Sequence, residues 1–224
     1  MRCPAPIGAP SSLKISADIN WRIFRIMAEF VDGFQFLSEL KKEVSIFGSA
    51  RTKEGDSEYE KARKLAYLLG KAGFSMVTGG GPGIMEAANR GAKEAGAESI
   101  GLNIQLPKEQ RVNKYVTRGI AFHYFFSRKV MLSAAAQAYV FFPGGFGTLD
   151  EMTELVTLIQ TKKMEAIPII LVGKKFWTPF LKWVHEDMSK NERISTEDEK
   201  IYRLVDTPEE AFKIIKASKE RTVF

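Results

Sequence analysis

The chain has 224 residues, 45% hydrophobic and 27% charged, which is long and apolar enough to bury one substantial core, so a single domain is the economical reading. A net charge of +6 and a pI near 9.3 suit either the steering of anionic small molecules or a nucleic-acid surface. The bases are dispersed among acids, as over Glu58–Lys64 and Glu197–Lys200, which reads as solvated faces with a modest anion preference and makes a nucleic-acid partner the weaker alternative. The lone Cys3 excludes an internal disulfide and the apolar runs near Val140 and Ile167 are too short for a membrane span, so a cytoplasmic protein with no membrane partner is expected.

Residues 1–15 lack the continuous apolar run of a signal peptide and are expected to be a mobile leader. From Ser16 to Leu40, within a segment running to residue 42, Ile19, Ile23, Met27, Phe30, Phe34 and Leu37 recur at helical spacing, while Asp18, Arg22, Arg25, Glu29 and Asp32 exclude a membrane helix. Trp21, Phe24 and Val31 widen the apolar face, so the helix packs on the body alone or also on a second subunit.

Residues 43–224 read as one Rossmann-like domain. Val44–Phe47 is the first buried strand and ends in Gly48-Ser49-Ala50-Arg51, where Ser49, and less strongly Arg51, are candidates to contact a ligand. An amphipathic helix over Ser57–Ala72 stops at Gly73 and belongs to the scaffold. Strand Phe74–Thr78 then runs into Gly79-Gly80-Gly81-Pro82-Gly83 and a helix opening with Ile84-Met85-Glu86. Glycines at a strand end let the backbone approach a ligand closely, and the free N–H groups of the following helix favour an anion. Met85 is placed to pack on a base; Glu86 is placed to bond a sugar or simply to favour the helix N-terminus.

Ile100–Leu106 and a short Tyr115–Phe122 are the next strands, followed by a helix over Tyr124–Ala136 and a strand over Ala138–Phe142. The second glycine turn, Pro143-Gly144-Gly145-Phe146-Gly147-Thr148, leads into a helix over Thr148–Thr161. Gly144, Gly145 and Gly147 would cradle a phosphate, Thr148 would cap the helix or give its hydroxyl to that phosphate, and Glu151 follows close enough to act on the ligand's sugar. Taken alone the stretch is also consistent with a Thr/Glu capping box; two such turns at the carboxyl ends of strands in one sheet argue for a nucleotide crevice. Strand Ile167–Val172, a core-packing helical segment Phe176–Met188, strand Ile201–Val205 and helix Pro208–Lys219 complete the chain. The alternation predicts a doubly wound, mainly parallel α/β sheet with helices on both faces and an added N-terminal helix.

Several chemistries are excluded by motif. Glu86 stands where a dinucleotide fingerprint wants its third Gly or Ala, and no Lys-Ser/Thr pair follows either glycine turn as a Walker loop requires. His123 and His185 have no metal-ligand spacing, no G-x-S-x-G elbow is present, and nothing marks a pyridoxal phosphate lysine. No metal and no cofactor are expected.

The segment Gly79–Gly96, the Arg128-Lys129 pair and Pro143–Glu151, in this order, resemble the LOG ("lonely guy") family of nucleoside 5′-monophosphate phosphoribohydrolases, often mislabelled as lysine decarboxylases. The resemblance runs from about Val44 to about Val172. It implies a doubly wound fold, usually a homodimer or larger homo-oligomer, that hydrolyses the N-glycosidic bond of a nucleotide such as AMP or an N6-modified cytokinin ribotide to free base and ribose 5-phosphate. It also implies that Glu151 and Arg128 are catalytic. Lys129 is a further candidate to bind substrate, although helix geometry points it elsewhere than Arg128, and by the same geometry Glu151 and Glu154 would share a face while Asp150 turns away. Short members resemble a His-Glu-Arg-Lys pattern where this chain has Phe126-Ser127-Arg128-Lys129, so the chain resembles the longer bacterial members, and the aromatic residues before Arg128 are candidates to line the base pocket. A non-catalytic nucleotide or molybdenum-cofactor carrier on the same fold is the alternative.

Overall fold

The computed structural model describes residues 15–105 and 112–219. The predicted leader before Ile15 and the predicted strand end at Leu106 lie outside the described residues. In chain order the elements are α1 (Ile15–Ser38), β1 (Glu43–Phe47), α2 (Ser57–Lys71), β2 (Ser75–Thr78), α3 (Ile84–Ala95), β3 (Ser99–Ile104), β4 (Arg118–Phe122), α4 (Phe125–Ala134), β5 (Ala138–Phe141), α5 (Phe146–Gln160), β6 (Ile169–Val172), α6 (Lys174–Trp183), β7 (Tyr202–Val205) and α7 (Pro208–Ala217). A π-helical turn (Val184–Ser189) extends α6, and a 3-10 turn (Asp198–Lys200) precedes β7.

All seven strands lie in one sheet, in the order β4-β3-β2-β1-β5-β6-β7, and every pairing is parallel. A parallel sheet needs helices on both faces, and the strands show it by burying alternate side chains in opposite directions. Val44, Ile46, Met76, Val140, Phe142, Ile170 and Val172 meet α2, α3 and α7 on one face. Phe47, Val77, Tyr139, Phe141, Ile169 and Leu171 meet the residues of α4, α5, α6 and the end of α1 on the other. The sheet is therefore the partition between two cores.

The doubly wound α/β architecture agrees with the sequence reading, with local differences. Tyr115 lies before β4 in a turn, under the Arg90 and Lys114 side chains, because β4 pairs only from Arg118 onward. In the Phe176–Met188 segment Trp177 is buried and its indole N–H donates to the Phe141 carbonyl at 3.2 Å, but Phe176 and Trp183 are exposed; the helix presents only one side to the sheet. The expected apolar face of α1 is corrected most. Leu37 is buried and Phe30 packs against the core, and Gly33 lets α1 approach Met131 and Phe122 closely, whereas Ile19, Trp21, Ile23, Phe24, Met27, Val31 and Phe34 remain exposed. The inward stripe meets α4 and β4, and the 24, 27, 31, 34 series points away from the body.

Candidate active site

The strand order reverses between β1 and β5, since β2 to β4 extend one way from β1 and β5 to β7 the other. Ligands of open α/β sheets bind at such a switch point, beyond the carboxyl ends of the strands. Here the loops after β1, β2 and β5 meet. The Ser49 N–H donates to the Pro143 carbonyl and the Ile84 N–H donates to the Ser49 carbonyl, both at 3.0 Å. Ser49 thus ties the two glycine turns together, while its hydroxyl accepts from the Arg51 N–H at 3.1 Å.

The first turn is held from beneath by a buried polar network. Thr78 donates its hydroxyl to Asn89 Oδ1 at 2.7 Å and accepts from the Gly80 N–H at 2.9 Å. Asn89 Nδ2 donates to Ser99 Oγ at 2.9 Å. From the far end of the β3–β4 connection, Asn113 Nδ2 reaches the carbonyls of Gly80 and Gly81 and Asn89 Oδ1, at 3.1, 2.9 and 2.9 Å. Gly80 and Gly83 both have φ +72°, and a Cβ on Gly83 would run into the Ser49 and Ala50 backbone, so neither position admits another residue without strain.

Gly79 is where the two helices that matter converge. A Cβ there would strike the Arg128 guanidinium and come within 2.9 Å of Met85 Sδ, so the Arg128 head lies directly on the glycine backbone with Met85 beside it. Arg128 Nε donates to the Leu102 carbonyl, within β3, at 2.7 Å. Glu86 stands half-buried in the first turn of α3, where its charge is felt by Tyr59 of α2.

In the second turn α5 begins at Phe146, with Gly145 as its cap residue and no side-chain capping bond. The alternative reading of this stretch as a Thr/Glu capping box therefore does not hold, and the helix starts before Thr148. Thr148 is buried, and its hydroxyl fills the space that a Cβ on Gly144 would need. Gly145 and Gly147 face open space, and Phe146 between them is 92% exposed.

Glu151 sits on the first turns of α5 with its side chain only 13% exposed. Its Oε2 is buried with no hydrogen-bond partner. Lys129 lies 3.6 Å from Glu151 Oε1, 2.8 Å from Asp150 Oδ2 and 2.9 Å from Glu154 Oε2. This corrects the expectation that Lys129 points elsewhere and that Asp150 turns away: the α4–α5 packing gathers all three carboxylates around one ammonium. Ser133 adds a hydrogen bond to Glu154 at 3.2 Å.

The electrostatics follow from this geometry. Burial pushes the Glu151 carboxyl up; Lys129 and, more weakly, Arg128 pull it down, Glu154 and Asp150 push it further up, and it comes to rest at about 7. Burial also lowers the Arg128 guanidinium, and the charge of Glu151 offsets part of that. For Lys129 burial acts downward, but its bonds to Asp150 and Glu154 and the charge of Glu151 prevail and raise it. A desolvated carboxyl poised near neutrality, with one free oxygen and a partly buried guanidinium nearby, is an arrangement found where chemistry is done.

Of the residues that sequence reasoning singles out, Ser49 joins the two glycine turns, Arg128 and Met85 meet at Gly79, Thr148 packs on Gly144, and Lys129 lies beside Glu151. Sequence reasoning missed Asn89, Asn113 and the Leu102 carbonyl. Asn89 carried a signal, a polar residue among alanines on a buried helix face; Asn113 lies in a connection without periodicity. Among the described residues no group of His, Cys, Asp and Glu is arranged to hold a metal ion, and no helix is long and apolar enough to cross a membrane.

Solved structures similar in fold include a molybdenum cofactor carrier protein from Chlamydomonas reinhardtii, with TM-score 0.61, 22% identity and coverage of 79% of this chain and 96% of that one. The molybdenum cofactor binding protein from Rippkaea orientalis gives TM-score 0.58 and 22% identity over 80% and 98% of the two chains. At such identities the likeness is one of fold. Among proteins similar in sequence, the cytokinin riboside 5′-monophosphate phosphoribohydrolase LOG of Oryza sativa subsp. japonica is 28% identical over 156 residues, 67% of this chain and 62% of the rice protein. The pyrimidine/purine nucleotide 5′-monophosphate nucleosidase of Escherichia coli K12 is 29% identical over 130 residues, 54% of this chain but only 29% of that protein. The family model described as "Possible lysine decarboxylase" matches residues 85–215, which include Arg128, Lys129 and Glu151 and more than half of the sequence. The chain belongs to this LOG-type lysine-decarboxylase-like family.

Proposed function

We propose that the protein hydrolyses the N-glycosidic bond of nucleoside 5′-monophosphates, AMP or an N6-modified AMP such as a cytokinin ribotide, to the free base and ribose 5-phosphate. The observation that carries this reading is the buried, unpartnered Oε2 of Glu151, on the helix that the second glycine turn opens. In this reading the backbone amides after Gly79 and Gly144 hold the phosphate, and Ser49 and Thr148 line its cradle. Arg128 orients the ribose or the phosphate, and Met85 packs beside the base. Water attacks C1′ as the C1′–N bond breaks, and the electron pair leaves with the base, which takes up a proton. Positive charge grows on C1′ and the ring oxygen, so the ionised Glu151 stabilises the transition state more than the ground state. Lys129 is not a substrate ligand in this scheme, because its ammonium is already shared among three carboxylates.

The test is chromatographic. The purified protein is incubated with AMP, GMP, CMP, UMP and N6-isopentenyl AMP, and free base and ribose 5-phosphate are looked for. Release ranks the substrates. Thermal stabilisation by a nucleotide with no base released would instead favour a carrier, a reading to which the cofactor-carrier folds lend support. The exposed apolar side chains of α1 together with Phe125, Phe126 and Val130 of α4 support a homodimer or larger homo-oligomer; a monomeric mass in sedimentation at micromolar concentration would remove that part.

A further inference from the structure

We infer that Glu29, on the N-terminal helix, is a positioning residue for Arg128, and that α1 therefore acts on the crevice through the N-terminus of α4. Helix α4 needs help at that end. Its cap residue, Tyr124, makes no side-chain capping bond, and its third helical residue is Ser127, where a capping box would hold a Glu or Gln to reach back to the cap N–H. Glu29 supplies that carboxylate from another helix. Its Oε1 accepts the His123 N–H at 2.6 Å, and its Oε2 accepts the Tyr124 N–H at 3.3 Å and the Ser127 hydroxyl. A carboxylate at a helix N-terminus also satisfies the dipole there.

The next residue after Ser127 is Arg128. Its own N–H closes the first turn of α4 onto the Tyr124 carbonyl at 3.2 Å, so the turn that Glu29 pins is the turn that aims the guanidinium at Gly79 and Leu102. Two further contacts fix α1 in register. Arg22 lies over the Tyr124 ring at 5.6 Å, and Gly33 brings α1 against Met131 of α4. Ion pairing of Arg118 with Glu39, just beyond the helix end, holds α1 to β4. The hydrogen bonds of Glu29 go to His123, Tyr124 and Ser127 rather than to Arg128, so its effect on the guanidinium passes through the backbone of residues 123–128.

The inference rests on the reading of Arg128 as a substrate-contacting group, and its test separates the two. Glu29→Ala, Glu29→Gln and wild type are compared in the full chain, alone and with Arg128→Ala, in a double-mutant cycle on the dissociation constant for AMP. Hydrogen exchange of the amides in 123–128 is followed without ligand. Expected are faster exchange at His123 and Tyr124 in Glu29→Ala, AMP binding weakened about tenfold, an intermediate result for Glu29→Gln, which keeps one acceptor oxygen, and no further weakening when Arg128 is already Ala. Unchanged exchange at 123–128, or the same loss of affinity with Arg128 present and absent, would overturn the positioning role. Base release by wild type is scored separately, and its failure would sink the hydrolase reading while leaving the exchange result to judge Glu29.

Discussion

The free oxygen of Glu151 makes the stability of this protein depend on pH in a way that one substitution should abolish. In the folded chain burial raises the carboxyl from its ordinary 4.5 to about 7; unfolded, it titrates near the ordinary value. Between these values the unfolded chain releases a proton that the folded chain retains. The contribution of Glu151 to stability is therefore fully present below pH 4.5 and is lost as pH rises through about 7. A rise of this size corresponds to about 3 kcal/mol, a large share of a typical domain's total stability of roughly 5–15 kcal/mol. Glu151→Gln keeps the shape and has no proton to lose. Urea unfolding at pH 5 and at pH 8.5 should show the variant close to wild type at the lower pH and more stable by about 3 kcal/mol at the higher one. A stability difference that is the same at both pH values would refute the account, because it would mean that Glu151 titrates alike in the folded and unfolded chains.

The same substitution should abolish base release while AMP binding stays measurable by calorimetry; full activity would remove Glu151 from the mechanism. If the ionised carboxylate is the active form, kcat/KM for wild type should rise as pH increases through about 7, the value for Glu151, and a profile flat from pH 5.5 to 8.5 would speak against it. Lys129→Met removes the strongest downward pull on Glu151 and leaves Asp150 and Glu154 facing it unneutralised, so that rise should move to higher pH; an unmoved profile would mean that the ammonium does not set the carboxyl. Asn89→Leu strands the buried partners Thr78 and Ser99 and should cost about 1–3 kcal/mol in urea unfolding, with AMP affinity falling as the first glycine turn loosens.

Much of this protein is legible locally. The strand-glycine-helix passages at Gly79–Gly83 and Gly144–Gly147 declare themselves because sharp turns at the ends of buried strands demand residues without a Cβ, and the alternation of short apolar strands with amphipathic helices leaves few architectures besides a parallel sheet covered on both faces. Helix α7 was placed within two residues for the same reason: Thr207 and Glu210 form a capping box that is complete within four residues of chain. Helix α5 shows the limit of such reading, since Thr148 and Glu151 have capping-box spacing, yet the helix begins two residues earlier and Thr148 packs against Gly144.

What the sequence by itself determined is the set of groups whose meaning is local: the two glycine turns at strand ends, the strand and helix order, and the candidacy of Glu151 beside one of them. Only the tertiary structure decided what each charge meets. The Lys129 ammonium among three carboxylates, the Arg128 head on the Gly79 backbone and the Leu102 carbonyl, and the Glu29 carboxylate at the start of α4 each join residues from separate elements. The raised carboxyl of Glu151 belongs to the same class, because a pKa is set by the distance to every neighbouring charge and by the exclusion of water, and both exist only once the helices have packed on the sheet.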